Sequence, residues 1–357
     1  MGIAKLSGSS PGIIRCDRPS NGAERAPNMR YRPLGRTGIS VSEIGFGAWG
    51  IGGATPGSTS YGPTDDRESL RALGRALDLG ITFFDTAAVY GYGRSEELIA
   101  EAVAGRRSGV VIATKAGLVE FGKAPDFTPR ELDRSLERSL TRLRTDYVDL
   151  FQLHNPPANV LADPDAALES VGKARRAGKI RAFGVSVRSP EDGLVAIARA
   201  RPDAIQVNFN LLDQRILDSG LAEAAHAAGV AIIARTPLCF GFLTGRIDES
   251  TVFRPDDHRS RWPRSQIRHW AEGARRMMST MAEPANQTPT QYALRYCLSH
   301  PAVASTIPGI LSAAEAEENC HASLLGSLGP GEHAAIRAAY RECAAFEGAQ
   351  AADPGKA

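Results

Sequence analysis

Phe83-Phe84-Asp85-Thr86-Ala87-Ala88-Val89-Tyr90-Gly91 begins as an apolar strand and ends in a loop that places a carboxylate and, five positions on, a phenol. Gly91 and Gly93 flank the phenol, so the segment turns where chemistry rather than packing is served. An acid and a phenol at the exit of a parallel strand stand at the rim of an α/β barrel, where that fold builds its sites. The reading therefore depends on whether the flanking chain supplies such a barrel.

It does, by alternation. Strand-like runs occur at Ile44 to Gly47, Ile81 to Thr86, Val110 to Lys115, Val148 to Leu153, Ile180 to Val185, Ala204 to Phe209, Val230 to Ala234 and Val303 to Ile307. Helical patterns lie between them: Asp66 to Gly80, with Leu70, Leu73 and Leu77 on one face; Ser95 to about Gly105; a helix opened by Thr128-Pro129-Arg130-Glu131; Pro164 to Ala177; Pro190 to Ala200; and Leu217 to Ala228. Thr128 to Glu131 has the composition of a capping box with proline at the first helical position. Further helices are expected near Gln266 to Met281, Pro289 to Ser299, Ala313 to Asn319 and His333 to Phe346. Tyr31 to Val41, centred on Gly35-Arg36-Thr37-Gly38, reads as a hairpin. Strict alternation requires parallel strands with right-handed crossovers. Eight units predict a (β/α)8 TIM barrel with an N-terminal hairpin and extra C-terminal helices. No G-x-G-x-x-G follows the first strand, which disfavours a Rossmann nucleotide site.

The 357 residues suit a single large domain. We expect a disordered extension over 1–28, the barrel over 29–320, and a C-terminal helix and tail over 321–357. Residues 1–28 are rich in Gly, Ser, Pro and Arg without apolar periodicity, and Met29 is a plausible native start. Lys plus Arg number 42 against 40 Asp plus Glu with no basic block, so no nucleic-acid partner is expected. No apolar run approaches the roughly 20 residues that span a bilayer, and a cytoplasmic protein is expected. Five cysteines without a C-x-x-C pair argue against a disulfide framework and a zinc site, so no metal is expected. Monomer and homo-oligomer both stay open.

Polar residues at strand ends collect into one constellation: Asp85, Tyr90, Lys115 and His154. A lysine at a strand end is costly to bury alone, and an aspartate on the neighbouring strand would pair with it. The Lys115 ammonium beside the Tyr90 phenol would favour phenolate and make Tyr90 a usable acid or base. His154 would polarise a substrate carbonyl. Such apparatus reduces carbonyls if a hydride source is present, which calls for a nicotinamide cofactor.

With Phe-Asp-Thr-Ala-x-x-Tyr-Gly, Ala-Thr-Lys and Leu-Phe-Gln-Leu-His in place, the chain from about Arg30 to Asn319 resembles the aldo-keto reductases. The resemblance implies a catalytic tetrad of Asp85, Tyr90, Lys115 and His154, with Tyr90 the proton donor or acceptor. It further implies that NAD(P)H lies over the barrel mouth, its carboxamide held by Ser186 and Gln206. Val187 replaces an asparagine found in many relatives, and Arg235 stands where an aromatic would stack on nicotinamide; its planar guanidinium can stack as well. Pro237, Leu238, Gly241, Leu243 and Arg246 match the pyrophosphate loop, the backbone amides near Gly241 and Leu243 meeting the phosphates. Gly309, Leu311, Glu315, Glu318 and Asn319 match the adenosine end. Relatives that use NADPH carry a cation there; this chain has Glu315 and none between Gly309 and Leu311, so NADH is expected to be favoured over NADPH. Trp49, with Tyr90 and His154, is expected to face the substrate. The polar loops Gly52 to Thr64 and Thr244 to Arg264 lean towards a small, hydroxylated carbonyl or polyol. Two alternatives stay open: a sugar or alcohol dehydrogenase working oxidatively, and a cofactor-binding regulatory subunit or redox sensor.

Overall fold

A computed structural model describes residues 29–55, 59–282 and 286–343. The extension 1–28 and the end of the C-terminal tail lie outside the described residues.

Tyr31–Pro33 (β1) and Ser40–Ser42 (β2) pair as the expected antiparallel hairpin. Its turn is pressed onto the chain just ahead of two barrel strands. A Cβ on Gly35, at φ +55°, would lie 2.6 Å from the Gly229 carbonyl oxygen, so only glycine fits there. Arg36 donates to the carbonyls of Ala228 (3.0 Å) and Arg201 (2.9 Å). Leu34, Ile39 and Val41 then pack among residues of the barrel interior. The hairpin is the floor of the barrel.

Eight strands build the wall: Phe46–Gly47 (β3), Phe83–Asp85 (β4), Val111–Ala116 (β5), Val148–His154 (β6), Ile180–Ser186 (β7), Ala204–Asn208 (β8), Ala231–Arg235 (β9) and Val303–Ile307 (β10). They follow one another in chain order, every neighbour parallel. Parallel bridges Ile44 to Thr306 and Gly47 to Gly309 join the two ends. Thus the predicted eight-stranded (β/α)8 barrel is what forms.

Side chains alternate along a strand, so residues two apart share a face. Phe83, Val111, Ala113, Leu150, Ala182, Ala204, Ala231 and Ile233 fill the lower interior as one buried cluster. Two positions on, the same faces carry Asp85, Lys115, Gln152, Gln206 and Arg235, and four positions on from Ala182 comes Ser186. The interior is apolar below and polar at the C-terminal rim. Gly184 lies in the middle of this change; a Cβ there would come within 3.1 Å of Gln152 Cγ.

The helices depart from expectation in small ways. Asp66–Asp78 (α1), Arg94–Ala102 (α2) and Pro129–Leu143 (α3) follow the expected segments. Thr128 caps α3 by accepting from the Glu131 amide, but the reciprocal half of the box is absent. The Glu131 carboxylate instead accepts from Ser135 at 2.9 Å and pairs with Arg138. A short helix, Ala158–Ala162 (α4), precedes Asp165–Arg176 (α5), and Pro190–Arg199 (α6) follows β7. The single helix expected over Leu217 to Ala228 is two, Arg215–Asp218 (α7) and Leu221–Ala227 (α8), because Gly220 takes φ +77° between them. Arg264–Met278 (α9) and Pro289–Leu298 (α10) lead to β10. Ala313–Leu325 (α11) is nearly twice its expected length, ending at Gly326. It runs through the division placed at residue 320. Pro330–Glu342 (α12) packs against α9.

Candidate active site

The loop after β4 is brought to the rim by a backbone contact. A Cβ on Gly91, at φ +58°, would lie 2.2 Å from the Gly52 carbonyl oxygen. Glycine at that point lets the loops after β3 and β4 touch, and this seats Tyr90 over the barrel.

Beneath it Lys115 is only 1% exposed and Asp85 2%. An ammonium has three protons to place. Lys115 Nζ donates to Asp85 Oδ1 at 2.5 Å, to the Thr86 carbonyl at 2.9 Å and to the Tyr90 hydroxyl oxygen at 3.2 Å. The Tyr90 oxygen thus receives a charged donor from below, and its own proton is left to face the cleft. Burial opposes the Lys115 charge, but Asp85 and Tyr90 outweigh it and hold the ammonium above the ordinary lysine range.

Asp85 is fixed from its other side. Its Oδ2 accepts from Gln206 Nε2 at 2.7 Å and Gln152 Nε2 at 3.1 Å. Gln152 carries no assignment from the sequence, although its spacing of two from His154 puts both on the interior face of β6. Ser186 is fully buried, with its hydroxyl 3.5 Å from Gln206 Oε1.

His154 closes β6, its ring edge-on to Tyr90 with centroids 5.9 Å apart. Burial, then the charges of Lys115, Arg235 and Arg188, push its pKa well below the usual histidine value. It is neutral at pH 7. Its Nδ1 is buried without a partner among the described residues. Because an orphaned N–H is rarer than an orphaned acceptor, Nδ1 is assigned the lone pair and Nε2 the proton, making His154 a donor.

These groups open into a cleft of about 740 Å³. Trp49, Gln206, Arg235, Pro237, Leu238, Gly241, Gly309, Leu311 and Glu315 line it together with Asp85, Tyr90 and His154. Ser186, Leu243, Arg246, Glu318 and Asn319 lie outside that lining. The pyrophosphate loop differs from expectation in detail. The amides of Gly241 and Leu243 both donate to the Leu238 carbonyl, at 2.9 and 3.2 Å, which turns them into their own loop. Arg246 pairs with Glu318 at 2.9 Å. Arg235 donates to the Val187 carbonyl at 2.9 Å. Glu315 Oε2 accepts from the Leu311 amide at 2.7 Å, so a carboxylate already occupies the start of α11.

Sequence reading expected the long loop after β9 to bear on the substrate but named none of the residues by which it walls the cleft. The His258 amide donates to the Ser60 carbonyl at 2.8 Å, tying that loop to the one after β3. Trp49 and Tyr61 each pack about 5 Å from His258 by ring centroids. Arg259 makes a bidentate pair with Asp257, sits over Tyr61 and donates to the Phe240 carbonyl at 2.8 Å. Asn155, Arg188 and Arg215 also line the cleft. Among the described residues no three His, Cys, Asp or Glu side chains converge as metal ligands, and no helix is long and apolar enough to cross a membrane.

The residues fit a nicotinamide dinucleotide in chemical kind. The volume lies in the range of small-molecule sites, the planar Arg235 guanidinium lines it, and Asn319, one helical turn on from the lining residue Glu315, has a buried amide nitrogen without a partner among the described residues.

The description "Aldo/keto reductase family" belongs to a family model that matches residues 43–341. The aldo-keto reductase YhdN of Bacillus subtilis (strain 168) is 37% identical over 253 residues, covering 67% of this chain and 71% of that protein. The L-glyceraldehyde 3-phosphate reductase of Escherichia coli (strain K12) is 31% identical, covering 84% of this chain and 89% of its own length. Among solved structures, the glycerol dehydrogenase AKR11B4 of Gluconobacter oxydans superposes with a TM-score of 0.73 at 28% identity, covering 88% of this chain and 96% of that one.

Proposed function

The chain belongs to the aldo/keto reductase family, and from that premise we propose that it moves a hydride between a nicotinamide cofactor and the carbonyl or alcohol carbon of a small polar substrate. The observation that carries this reading is the placement of the three Lys115 protons on Asp85, Thr86 and Tyr90.

In the reductive direction His154 Nε2–H and the Tyr90 hydroxyl donate to the carbonyl oxygen, drawing charge onto it. The bound cofactor supplies the hydride. As charge develops on oxygen, Tyr90 gives up its proton, and the Lys115 ammonium stabilises the phenolate left behind. Asp85 keeps Lys115 charged and aimed, while Gln152 and Gln206 keep Asp85 from turning. Run backwards, the same groups remove a proton from an alcohol.

Gln206 and Arg235 are the residues proposed to hold the nicotinamide end, with Ser186 behind them. Pro237, Leu238 and Gly241 lie along the path towards Leu311, Glu315 and Asn319, which we assign to the adenosine end. The Glu315 carboxylate would repel a 2′-phosphate and suits a ribose hydroxyl, and Arg246 is engaged by Glu318. NADH is therefore the proposed preference. Two relatives are named for L-glyceraldehyde 3-phosphate and glycerol, which supports a small hydroxylated substrate. A cytoplasmic location is also proposed.

Following nicotinamide absorbance with aldehydes, ketones, sugars and polyols, with both cofactors and in both directions, tests this reading. Turnover with at least one carbonyl or alcohol is expected. Cofactor binding without turnover of any would overturn it in favour of a binding subunit.

A further inference from the structure

Asn155 follows His154 directly and lines the same cleft as Tyr90 and Trp49. Its backbone is held tightly. φ is +53°, in the left-handed region that asparagine tolerates better than most residues, its amide donates to the Ser186 carbonyl at 2.8 Å, and Pro156 follows. The residue is 8% exposed, and its Oδ1 is buried with no partner among the described residues.

A buried amide end without a hydrogen bond carries an uncompensated desolvation cost. Asparagine's terminal torsion is soft, so the amide can turn either end to a ligand. The group it takes must suit both an acceptor and a donor. A hydroxyl does so, since it donates and accepts. Place matters as well: consecutive Cα atoms are 3.80 Å apart, and His154 is assigned to the reacting oxygen. Both residues line the one cleft, which puts the Asn155 amide within the substrate's space beside that oxygen.

We propose that Asn155 binds a hydroxyl on the carbon next to the reacting carbonyl, making the substrate an α-hydroxy aldehyde or ketone, or a vicinal diol in the reverse direction. This rests on the oxidoreductase reading above. Asn155 confers specificity and takes no part in proton transfer.

Glycolaldehyde and acetaldehyde differ by that one hydroxyl and serve as probes. kcat/KM is measured for both on the wild type and on Asn155→Gly, which removes the amide and accepts positive φ; comparing the two proteins on each aldehyde cancels differences in aldehyde hydration. The wild type is expected to favour glycolaldehyde at least tenfold, because a site built for a hydroxyl rejects the analogue lacking it. Asn155→Gly is expected to lose that preference through glycolaldehyde alone, with acetaldehyde within threefold of wild type and NADH affinity unchanged. An unchanged preference, an equal fall for both aldehydes, or a tenfold weaker NADH affinity, as expected if the amide serves the cofactor's carboxamide, overturns the proposal. Should Asn155→Gly fail to fold, the wild type decides, with kcat/KM expressed on the free aldehyde measured in each solution: a preference below threefold, with aldehydes still reduced, overturns it alone. If the wild type reduces no carbonyl, 4-nitrobenzaldehyde included, and oxidises no alcohol, the oxidoreductase reading fails first.

Discussion

Gln206 Nε2 donates to Asp85 Oδ2 at 2.7 Å, so a residue proposed to hold the nicotinamide also braces the acid that fixes Lys115. Gln152 braces the same oxygen at 3.1 Å but does not line the cleft. The two glutamines should therefore separate. A hydrogen bond to a charged group is worth about 1.5–3 kcal/mol. Gln152→Met is expected to lower kcat roughly tenfold and leave the cofactor Kd unchanged, whereas Gln206→Met lowers kcat and weakens the cofactor. Equal effects on Kd in paired titrations would remove the distinction.

Breaking the buried pair should cost stability as well as activity. Asp85 and Lys115 are almost fully enclosed, and removing one partner leaves the other charge stranded. Lys115→Met is expected to destabilise the fold by about 3–5 kcal/mol, read by urea unfolding. A variant that matches wild-type stability would mean that the two side chains are not paired in solution.

At the far end of the cleft, Glu315→Gln keeps an oxygen for the Leu311 amide and removes the charge. The affinity of NADPH relative to NADH should rise by about tenfold, or 1.4 kcal/mol. In the wild type, NADPH binding tenfold tighter than NADH would contradict the proposed preference.

Acid should destabilise the protein before its carboxylates titrate. Burial pushes His258 down to about 4, and burial with the nearby His333 and Arg337 charges does the same to His300. Both are held neutral in the fold. Between the unfolded value near 6.5 and about 4, the unfolded chain binds protons that the folded chain refuses. Stability is therefore full above pH 6.5 and falls as pH drops through this window, by at most about 1.4 kcal/mol per pH unit for each histidine. Urea midpoints between pH 7 and 5 check this, and His300→Gln should flatten the slope.

Much of this was legible in the sequence because the barrel gives strand ends a fixed meaning. Asp85, Lys115 and His154 each lie at a C-terminal strand end, where alternation and the rim position coincide. Gln152 was legible by the same rule, since residues 150, 152 and 154 share a face; it lies inside the strand, where a polar residue attracts less notice than at its end. The loop amides were not legible. Whether Gly241 and Leu243 turn their N–H groups outwards or onto Leu238 depends on backbone torsions, with Phe240 at φ +55° and Gly241 at +97°. The wall formed by Tyr61, His258 and Arg259 joins loops nearly 200 positions apart, and no local pattern announces such a contact. Asn155 was hidden for a different reason: its amide gains meaning only once burial leaves Oδ1 without a partner among the described residues.

The most direct measurement is single-turnover reduction of an aldehyde by Tyr90→Phe, followed through nicotinamide absorbance with cofactor bound beforehand. Phenylalanine keeps the ring beside His154 and removes the oxygen that accepts from Lys115. A loss of about 100-fold or more with cofactor affinity unchanged is the predicted result. Reduction within threefold of wild type would show that the proton comes from elsewhere.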